Sequence, residues 1–171
     1  MSKTDRVLFA GFKGRNNASG RLAEDLSRKP LLLTNSYNGL KRDIDSLKED
    51  HDLVVLFGVD KNLTSNVRIE KSAIKDGTKR YSNLDLNKIF DALNAAGIEP
   101  LISDRPKDCL CNEAYWNALE KFSGRAVFIH IPTVKHADEV FFDKMKAAMA
   151  FMKNGKEDIG IGSWEKRREN M

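Results

Sequence analysis

The chain has 171 residues, of which 41% are hydrophobic and 32% are charged, and its formal net charge is +4. This length predicts a single domain, and the composition is typical of a soluble globular protein. The start of the chain lacks a secretory signal and the longest apolar run, residues 53–59, is too short to span a bilayer, so we expect a cytoplasmic protein without a membrane partner. Basic and acidic residues are interleaved along the chain, which argues against a nucleic-acid partner.

The first half of the chain alternates between apolar runs and segments with helical periodicity. Residues 6–12 form an apolar run that ends near a glycine, which predicts a buried strand. A helix is expected next, with Ser19 as a possible cap and with Leu22 and Leu26 on one face. The pattern then gives a strand in "PLLLTNSY", a helix in "NGLKRDIDSLKEDH" and a strand in "DLVVLFGV".

The second half continues the alternation after one ambiguous segment. That segment, "NVRIEKSAIK", predicts a partly exposed strand or loop. A helix ending at Gly97, a strand in "IEPLIS", a helix in "CNEAYWNALEKF", a strand in "RAVFIHIP" and a long amphipathic helix follow. The apolar side of that last helix is expected to be core rather than interface, and it comprises Val140, Phe141, Met145, Ala148, Met149 and Met152.

Apolar strands separated by helices predict an α/β protein. We expect a three-layer α/β/α sandwich with a central, largely parallel mixed sheet. One domain is predicted over residues 1–155, followed by a loosely structured basic tail over residues 156–171. The chain contains two cysteines, Cys109 and Cys111, which are too close in sequence for a relaxed disulfide and are therefore expected to be thiols.

Cys111 lies where the helix of "CNEAYWNALEKF" should begin. If Asp108 caps this helix, Cys111 is the third helical residue, and the helix dipole lowers the pKa of its thiol. The free N–H groups of the first turn could also bind the oxyanion formed when sulfur attacks a carbonyl. These features are typical of a nucleophilic cysteine.

His130 is the polar residue of the apolar strand "VFIHIP". A histidine near the carboxyl end of the strand that follows the cysteine helix should return beside the thiol, where it could act as a general base. Either residue alone could instead be structural, the cysteine as a small buried hydrophobe and the histidine as a hydrogen-bonded core residue. The spacing matches no closed zinc site, and we expect neither a metal nor a cofactor.

The segments "LCNEAYWNAL" and "FIHIP" resemble the cysteine and histidine signatures of the pyroglutamyl peptidase I family, also called pyrrolidone-carboxylate peptidases, cysteine enzymes that remove N-terminal pyroglutamate from peptides. The likeness covers most of the chain, including "VLFAGF", "DLVVLFG" and "RIEKSAIK". It implies a catalytic triad of Cys111, His130 and Glu70, and the role of Glu70 follows from the resemblance alone. It also implies substrate contacts at Phe12, Asn17 and Val59.

The chain departs from the family pattern around the substrate. Residues 13–16 replace a longer loop whose aromatic residue helps to enclose the pyroglutamyl ring, and Val59 stands near the position of a family glutamine. "DGTKR" shortens another loop, and "DRPKDCL" replaces a small turn before the nucleophile. Three interpretations remain: a compact pyroglutamyl peptidase, a cysteine hydrolase acting on another acyl or amide substrate, or a non-catalytic binding protein. The expected partner is a peptide or small amide, and the resemblance also implies a possible homo-oligomer.

Overall fold

The computed structural model describes residues 6–153. The predicted tail, residues 156–171, therefore lies outside the described residues, as do the two ends of the predicted domain. The elements follow one another as β1 (Val7–Phe12), α1 (Ala18–Leu26), β2 (Leu31–Leu33), α2 (Tyr37–Asp45), β3 (Leu53–Val59), β4 (Asn66–Glu70), β5 (Ser72–Lys75), β6 (Thr78–Tyr81), α3 (Leu86–Ala95), β7 (Glu99–Ser103), α4 (Leu110–Lys121), β8 (Ala126–Ile131) and α5 (Glu139–Lys153).

Six strands form one mixed sheet in the order β2-β1-β3-β8-β4-β7. Strands β2, β1, β3 and β8 are mutually parallel, whereas β4 runs antiparallel to β8 and pairs in parallel with β7. Strand β8, the last of the described strands, therefore lies in the interior of the sheet between β3 and β4. The predicted α/β fold with a largely parallel mixed sheet is confirmed.

Helices cover both faces of this sheet, as the apolar strands require. On one face, α1, α3 and α5 pack against side chains such as Phe57 and Ile129. On the other face, α2 and α4 pack against side chains such as Leu56 and Phe128. The result is the predicted three-layer sandwich. Within residues 6–153, no helix combines the length and the apolar character needed to cross a membrane.

Strand β4 differs from the sequence-based expectation of a partly exposed segment. Val67 and Ile69 are completely buried and face the layer of α1, α3 and α5. The alternate side chains, Arg68 and Glu70, point to the opposite face, as alternation along a strand requires. Their polarity resembles that of a solvent-exposed edge, but the neighbouring strands β8 and β7 and the α4 layer enclose them.

The shortened loop predicted at "DGTKR" is the turn and second strand of a β-hairpin, β5–β6. Asp76 and Gly77 occupy its two turn positions with φ values of 50° and 78°. Two residues of positive φ are the geometry that an Asp-Gly hairpin turn provides. The hairpin packs on α4, where the guanidinium carbon of Arg80 lies 3.9 Å from the centre of the Trp116 ring.

Two further expectations about helices are corrected. Helix α1 is capped by Asn17, whose side-chain oxygen accepts a hydrogen bond of 3.0 Å from the Ser19 N–H, and not by Ser19 itself. Ser19 is buried and its hydroxyl instead accepts from the Phe12 N–H. On α5 the predicted apolar side is buried as expected except for Val140, which is 58% exposed.

Candidate active site

The amino end of α4 carries both cysteines. Cys109 is the cap residue, so Cys111 is the second helical residue, and the expectation that Asp108 caps the helix is wrong. The first hydrogen bond of the helix runs from the Glu113 N–H to the Cys109 carbonyl over 3.0 Å. The N–H groups of residues 110–112 therefore have no acceptor within the α4 backbone, and those of Cys111 and Asn112 are directed at the Cys109 sulfur.

The Cys111 thiol lies directly against β3 at Gly58. A methyl group added to the Gly58 Cα would come within 2.7 Å of the Cys111 sulfur and within 2.6 Å of the Phe128 ring. Glycine is thus required at this position so that the thiol can approach the sheet. Gly58 is the registered partner of His130 on the adjacent strand β8. The sulfur consequently lies over the strand next to the one that carries the imidazole.

His130 and Glu70 form a hydrogen-bonded pair across the junction of β8 and β4. The His130 Nδ1 lies 2.9 Å from a Glu70 carboxylate oxygen, and both side chains are at most 13% exposed. Register explains the contact, because Glu70 pairs with Phe128 while Arg68 pairs with His130, and side chains two residues apart point to the same face. The carboxylate of Glu70, a residue that only the family resemblance assigns to the site, therefore lies within hydrogen-bonding distance of the imidazole.

Arg68 and Asp60 belong to the site and were missed in the sequence. The Arg68 Nε donates to Glu70 over 2.5 Å and its Nη1 donates to Asp60 over 2.9 Å. Although burial opposes the effect, hydrogen bonds from the Asn62 N–H and from Arg68 lower the pKa of Asp60 below its ordinary value. The two-residue spacing of Arg68 and Glu70 on one strand was a usable signal, whereas nothing local indicates Asp60.

Two residues of the cysteine motif fasten α4 to the strands around Glu70. The Tyr115 hydroxyl donates to the Glu70 carbonyl over 2.8 Å. The Asn112 side chain accepts from the Ile74 N–H and donates to the Ile74 carbonyl, both over 2.8 Å. The Asn112 amide thus satisfies both the N–H and the carbonyl of Ile74 and attaches the β5–β6 hairpin to the helix. These contacts fix the distance between the helix that carries the thiol and the strand that carries the carboxylate.

The two thiols interact and shift each other's pKa in opposite directions. The pKa of Cys109 is lowered to about 6, first because the Cys111 thiol donates to it. Burial opposes this effect, and the N–H groups of Asn112 and Cys111 and the nearby His130 add to it. The pKa of Cys111 is raised because its thiol donates to Cys109, because it is buried, and because Glu70 and Asp60 are near. The lowered pKa expected at Cys111 is thus found at Cys109.

One cavity of about 620 Å³ opens onto these groups. Cys111, His130, Glu70 and Val59 line it. Among the described residues, no group of three or more His, Cys, Asp or Glu side chains is arranged to bind a metal.

Phe12 and Asn17, two of the expected substrate contacts, do not line this cavity. Phe12 is paired with Leu33 at the end of β1 and is buried in the core. The short connection of residues 13–16 leads from there directly to the Asn17 cap of α1. Neither residue therefore supports the implied contact with a substrate.

Comparison with known proteins was informative at the level of structure. No protein-family model matches the sequence, and no curated protein gives a significant match. The pyrrolidone carboxyl peptidase from Thermococcus litoralis matches with a TM-score of 0.69 at 20% identity, over 92% of this chain and 99% of that chain. A mutant of the pyrrolidone carboxyl peptidase from the hyperthermophile Pyrococcus furiosus matches with a TM-score of 0.72 at 18% identity, over 88% of this chain and 99% of that chain. The chain therefore has the fold of the pyrrolidone carboxyl peptidases, with the sequence divergence that the resemblance implied.

Proposed function

We propose that this protein is a cysteine peptidase that removes N-terminal pyroglutamate from peptides, with Cys111 as the nucleophile. The observation that carries the proposal is the 2.9 Å hydrogen bond between Glu70 and His130 in the cavity that Cys111 also lines. A thiol, an imidazole and a carboxylate in one cavity form the arrangement that nucleophilic acyl transfer requires. The shared fold with pyrrolidone carboxyl peptidases supports the choice of substrate.

Glu70 orients the imidazole in this mechanism. Its carboxylate accepts the Nδ1–H of His130, which leaves the lone pair of Nε2 free to accept a proton. Arg68 holds the same carboxylate from the other side and fixes its position. His130 can then take the proton of Cys111 as the sulfur attacks the carbonyl carbon.

The remaining steps use the amino end of α4. Attack of the Cys111 sulfur on the substrate carbonyl gives a tetrahedral intermediate, whose oxyanion is stabilised by the N–H groups of residues 110–112, two of which it takes over from the Cys109 sulfur. His130 donates its proton to the leaving amine, and a thioester forms on Cys111. A water molecule activated by His130 then hydrolyses the thioester, releases pyroglutamate and restores the thiol.

The test is turnover of a pyroglutamyl-coumarin amide by the reduced protein, compared with Cys111→Ser and Cys109→Ser. We expect release of the fluorophore by the wild-type protein, a loss of at least about a thousandfold in Cys111→Ser, and a smaller loss in Cys109→Ser. Absence of turnover by the wild-type protein would reject the proposed substrate. Activity that persists in Cys111→Ser but disappears in Cys109→Ser would move the nucleophile to the neighbouring cysteine.

A second candidate is a cysteine hydrolase that acts on a different acyl or amide group. It is favoured by the position of Phe12 and Asn17 outside the cavity and by the apolar Val59 at its wall, because a lactam would lack the contacts that the resemblance implies at these positions. A panel of N-acyl amides with Cys111→Ser as control separates the candidates. Turnover of another acyl group would support the second candidate, and its absence throughout the panel, with no pyroglutamyl turnover, would support a non-catalytic binding protein.

A further inference from the structure

The mouth of the catalytic cavity carries three cationic side chains. Lys61, Arg105 and Lys107 line the same cavity as Cys111 and His130, and each is exposed to solvent. None of the three forms an ion pair with a carboxylate of the described chain. Such uncompensated charge at a concave opening attracts anions, because the low-dielectric walls of the cavity focus the field.

The carboxylates that line the cavity do not neutralise this mouth. Asp60 and Glu70 both form ion pairs with Arg68, and Glu70 also faces His130. Asp104, which begins the loop before α4, accepts hydrogen bonds from Ser72 and Lys79. These three acidic groups are thus held by internal partners, and the three cations exceed the negative charge of the Cys109 thiolate and of the exposed Asp108 next to Lys107.

The cations lie on two of the segments where the chain departs from the family pattern. Lys61 follows β3, just beyond Val59, and Arg105 and Lys107 flank Pro106 in "DRPKDCL". Two separate replacements therefore bring charge of the same sign to one opening. The catalytic mechanism uses none of the three side chains, so they are available to contact a part of the substrate beyond the reacting atoms.

We propose that Lys61, Arg105 and Lys107 select substrates that carry a carboxylate close to the scissile amide bond. This inference rests on the proposed function and specifies its substrate class. The carboxylate can be the terminus of a short peptide or the side chain of an acidic residue after the cleaved bond, because both present the same charge to the cavity mouth. Long-range attraction raises the association rate, and contact with the cations lowers KM.

The first experiment measures the electrostatic potential at the thiols and does not depend on peptidase activity. Alkylation rates of the cysteine pair are determined with anionic iodoacetate and with neutral iodoacetamide, in the wild-type protein and in a triple variant, Lys61→Gln, Arg105→Gln and Lys107→Gln. We expect the ratio of the two rates, iodoacetate over iodoacetamide, to fall by about threefold to tenfold in the variant at low salt. Raising the ionic strength should lower the wild-type ratio toward the same value.

A matched control carries the same number of substitutions away from the cavity. Arg28, Lys48 and Lys121 are exposed and precede strands β2, β3 and β8. They therefore lie near the amino ends of these parallel strands, whereas the cavity lies near the carboxyl ends. Changing these three residues to glutamine removes the same formal charge and should leave the ratio unchanged. A ratio that falls equally in both triple variants, or that falls in neither, would overturn the proposal.

The second experiment compares paired substrates. Pyroglutamyl-alanine is compared with its C-terminal amide, and pyroglutamyl-glutamate amide with pyroglutamyl-glutamine amide, so that the two sources of the carboxylate are separated. We expect about tenfold higher kcat/KM for the carboxylate member of at least one pair, mainly through KM, and loss of that preference in the cavity-mouth variant but not in the control variant. Equal rates within both pairs would overturn the proposal.

Failure of this proposal and failure of the proposed function give different results. If no pyroglutamyl substrate is cleaved, the proposed peptidase activity is rejected, and the alkylation ratio still decides whether the mouth of the cavity attracts anions. If the substrates are cleaved without regard to charge and the ratio does not respond, the peptidase activity stands and the selection of carboxylates is rejected.

Discussion

The sequence predicts that Cys111 has a lowered pKa and lies in the active site, but the structure divides these two properties between Cys109 and Cys111. Helix α4 begins one residue later than predicted, so the cap position and its stabilised thiolate belong to Cys109, while Cys111 is held against Gly58. Two neighbouring thiols that share a proton titrate as a pair, with one pKa lowered and the other raised. Near neutral pH the pair therefore carries one negative charge, beside an imidazole that can accept the remaining proton.

This pairing predicts a specific pH dependence of thiol alkylation. The rate of the first alkylation should rise with pH and reach half of its plateau near pH 6, because the pKa of Cys109 is lowered to about 6. Rates measured from pH 4 to 9, with the modified residue located by mass spectrometry, check this. The inflection should disappear in Cys109→Ser. An inflection that stays near pH 6 in that variant would place the lowered pKa on Cys111.

Gly58 tests the position of the nucleophile. In Gly58→Ala the new methyl group would meet the Cys111 sulfur at 2.7 Å, so we expect a loss of about 1–3 kcal/mol in the free energy of unfolding and a large loss of activity. Urea unfolding measures the stability term. In a Cys111→Ala background the same substitution should cost less, because one of its two close contacts is gone. An equal cost in both backgrounds would contradict the contact.

At the scale of elements, hydrophobic pattern was a good guide wherever an element has one apolar side. It identified the five helices and most strands of the described chain, because burial of one apolar side produces the helical spacing of apolar residues in helices and the apolar runs in strands. It failed at β4, where a polar side is enclosed by charged partners from other strands. It also missed the hairpin β5–β6, whose strands have little apolar surface of their own and are stabilised by contacts with α4.

Asn112 is expected to control how α4 docks on that hairpin. In Asn112→Ala the N–H and the carbonyl of Ile74 lose their partners, which should lower the free energy of unfolding by about 1–3 kcal/mol and reduce turnover. Asn117→Ala is the matched control, because this buried asparagine donates only within its own helix, to the Glu113 carbonyl. The two variants are compared by thermal unfolding and by kcat. A larger effect on kcat in the control would argue against the docking role.

At the scale of the whole molecule, a line of charged groups joins three strands. Asp60 after β3, Arg68 and Glu70 on β4, and His130 on β8 are linked by consecutive hydrogen bonds. Cys111 and His130 could be proposed from the residues, because each has a local signal at the end of an element. Glu70 needed the family resemblance. The two-residue spacing places Arg68 beside Glu70, but the position of this pair next to His130 depends on the antiparallel register of β4 with β8, which no local pattern encodes.

Arg68→Gln tests this line of charges. It removes the partner shared by Asp60 and Glu70, so we expect a loss of about 1–3 kcal/mol in stability and a decrease of about ten- to hundredfold in turnover as Glu70 loses its fixed position. Arg68→Lys should rescue only part of the activity, because one ammonium cannot bridge both carboxylates in the same geometry. Lys41→Gln, which breaks an exposed pair with Asp45, should leave the free energy of unfolding nearly unchanged.

The pH dependence of stability gives a second measurement on the same variant. The lowered pKa of Asp60 contributes stability that is present above its unfolded-state pKa and is lost as the pH falls through its folded-state pKa. Removing Arg68 reduces this contribution. The difference in unfolding free energy between wild type and Arg68→Gln should therefore be largest near neutral pH and narrow below about pH 4. A constant difference from pH 7 to pH 3 would show that Asp60 does not depend on Arg68.

The interior position of β8 has a consequence for biosynthesis. Strands β1, β2 and β3 can pair as soon as they leave the ribosome, and β4 can pair with β7, but only β8 joins the two groups. The thiol on α4, the carboxylate on β4 and the imidazole on β8 are therefore in place together only after residue 131 has been synthesised. A nascent or truncated chain that ends before β8 is expected to lack any capacity for acyl transfer. The insertion of β8 therefore completes both the six-stranded sheet and the reactive centre.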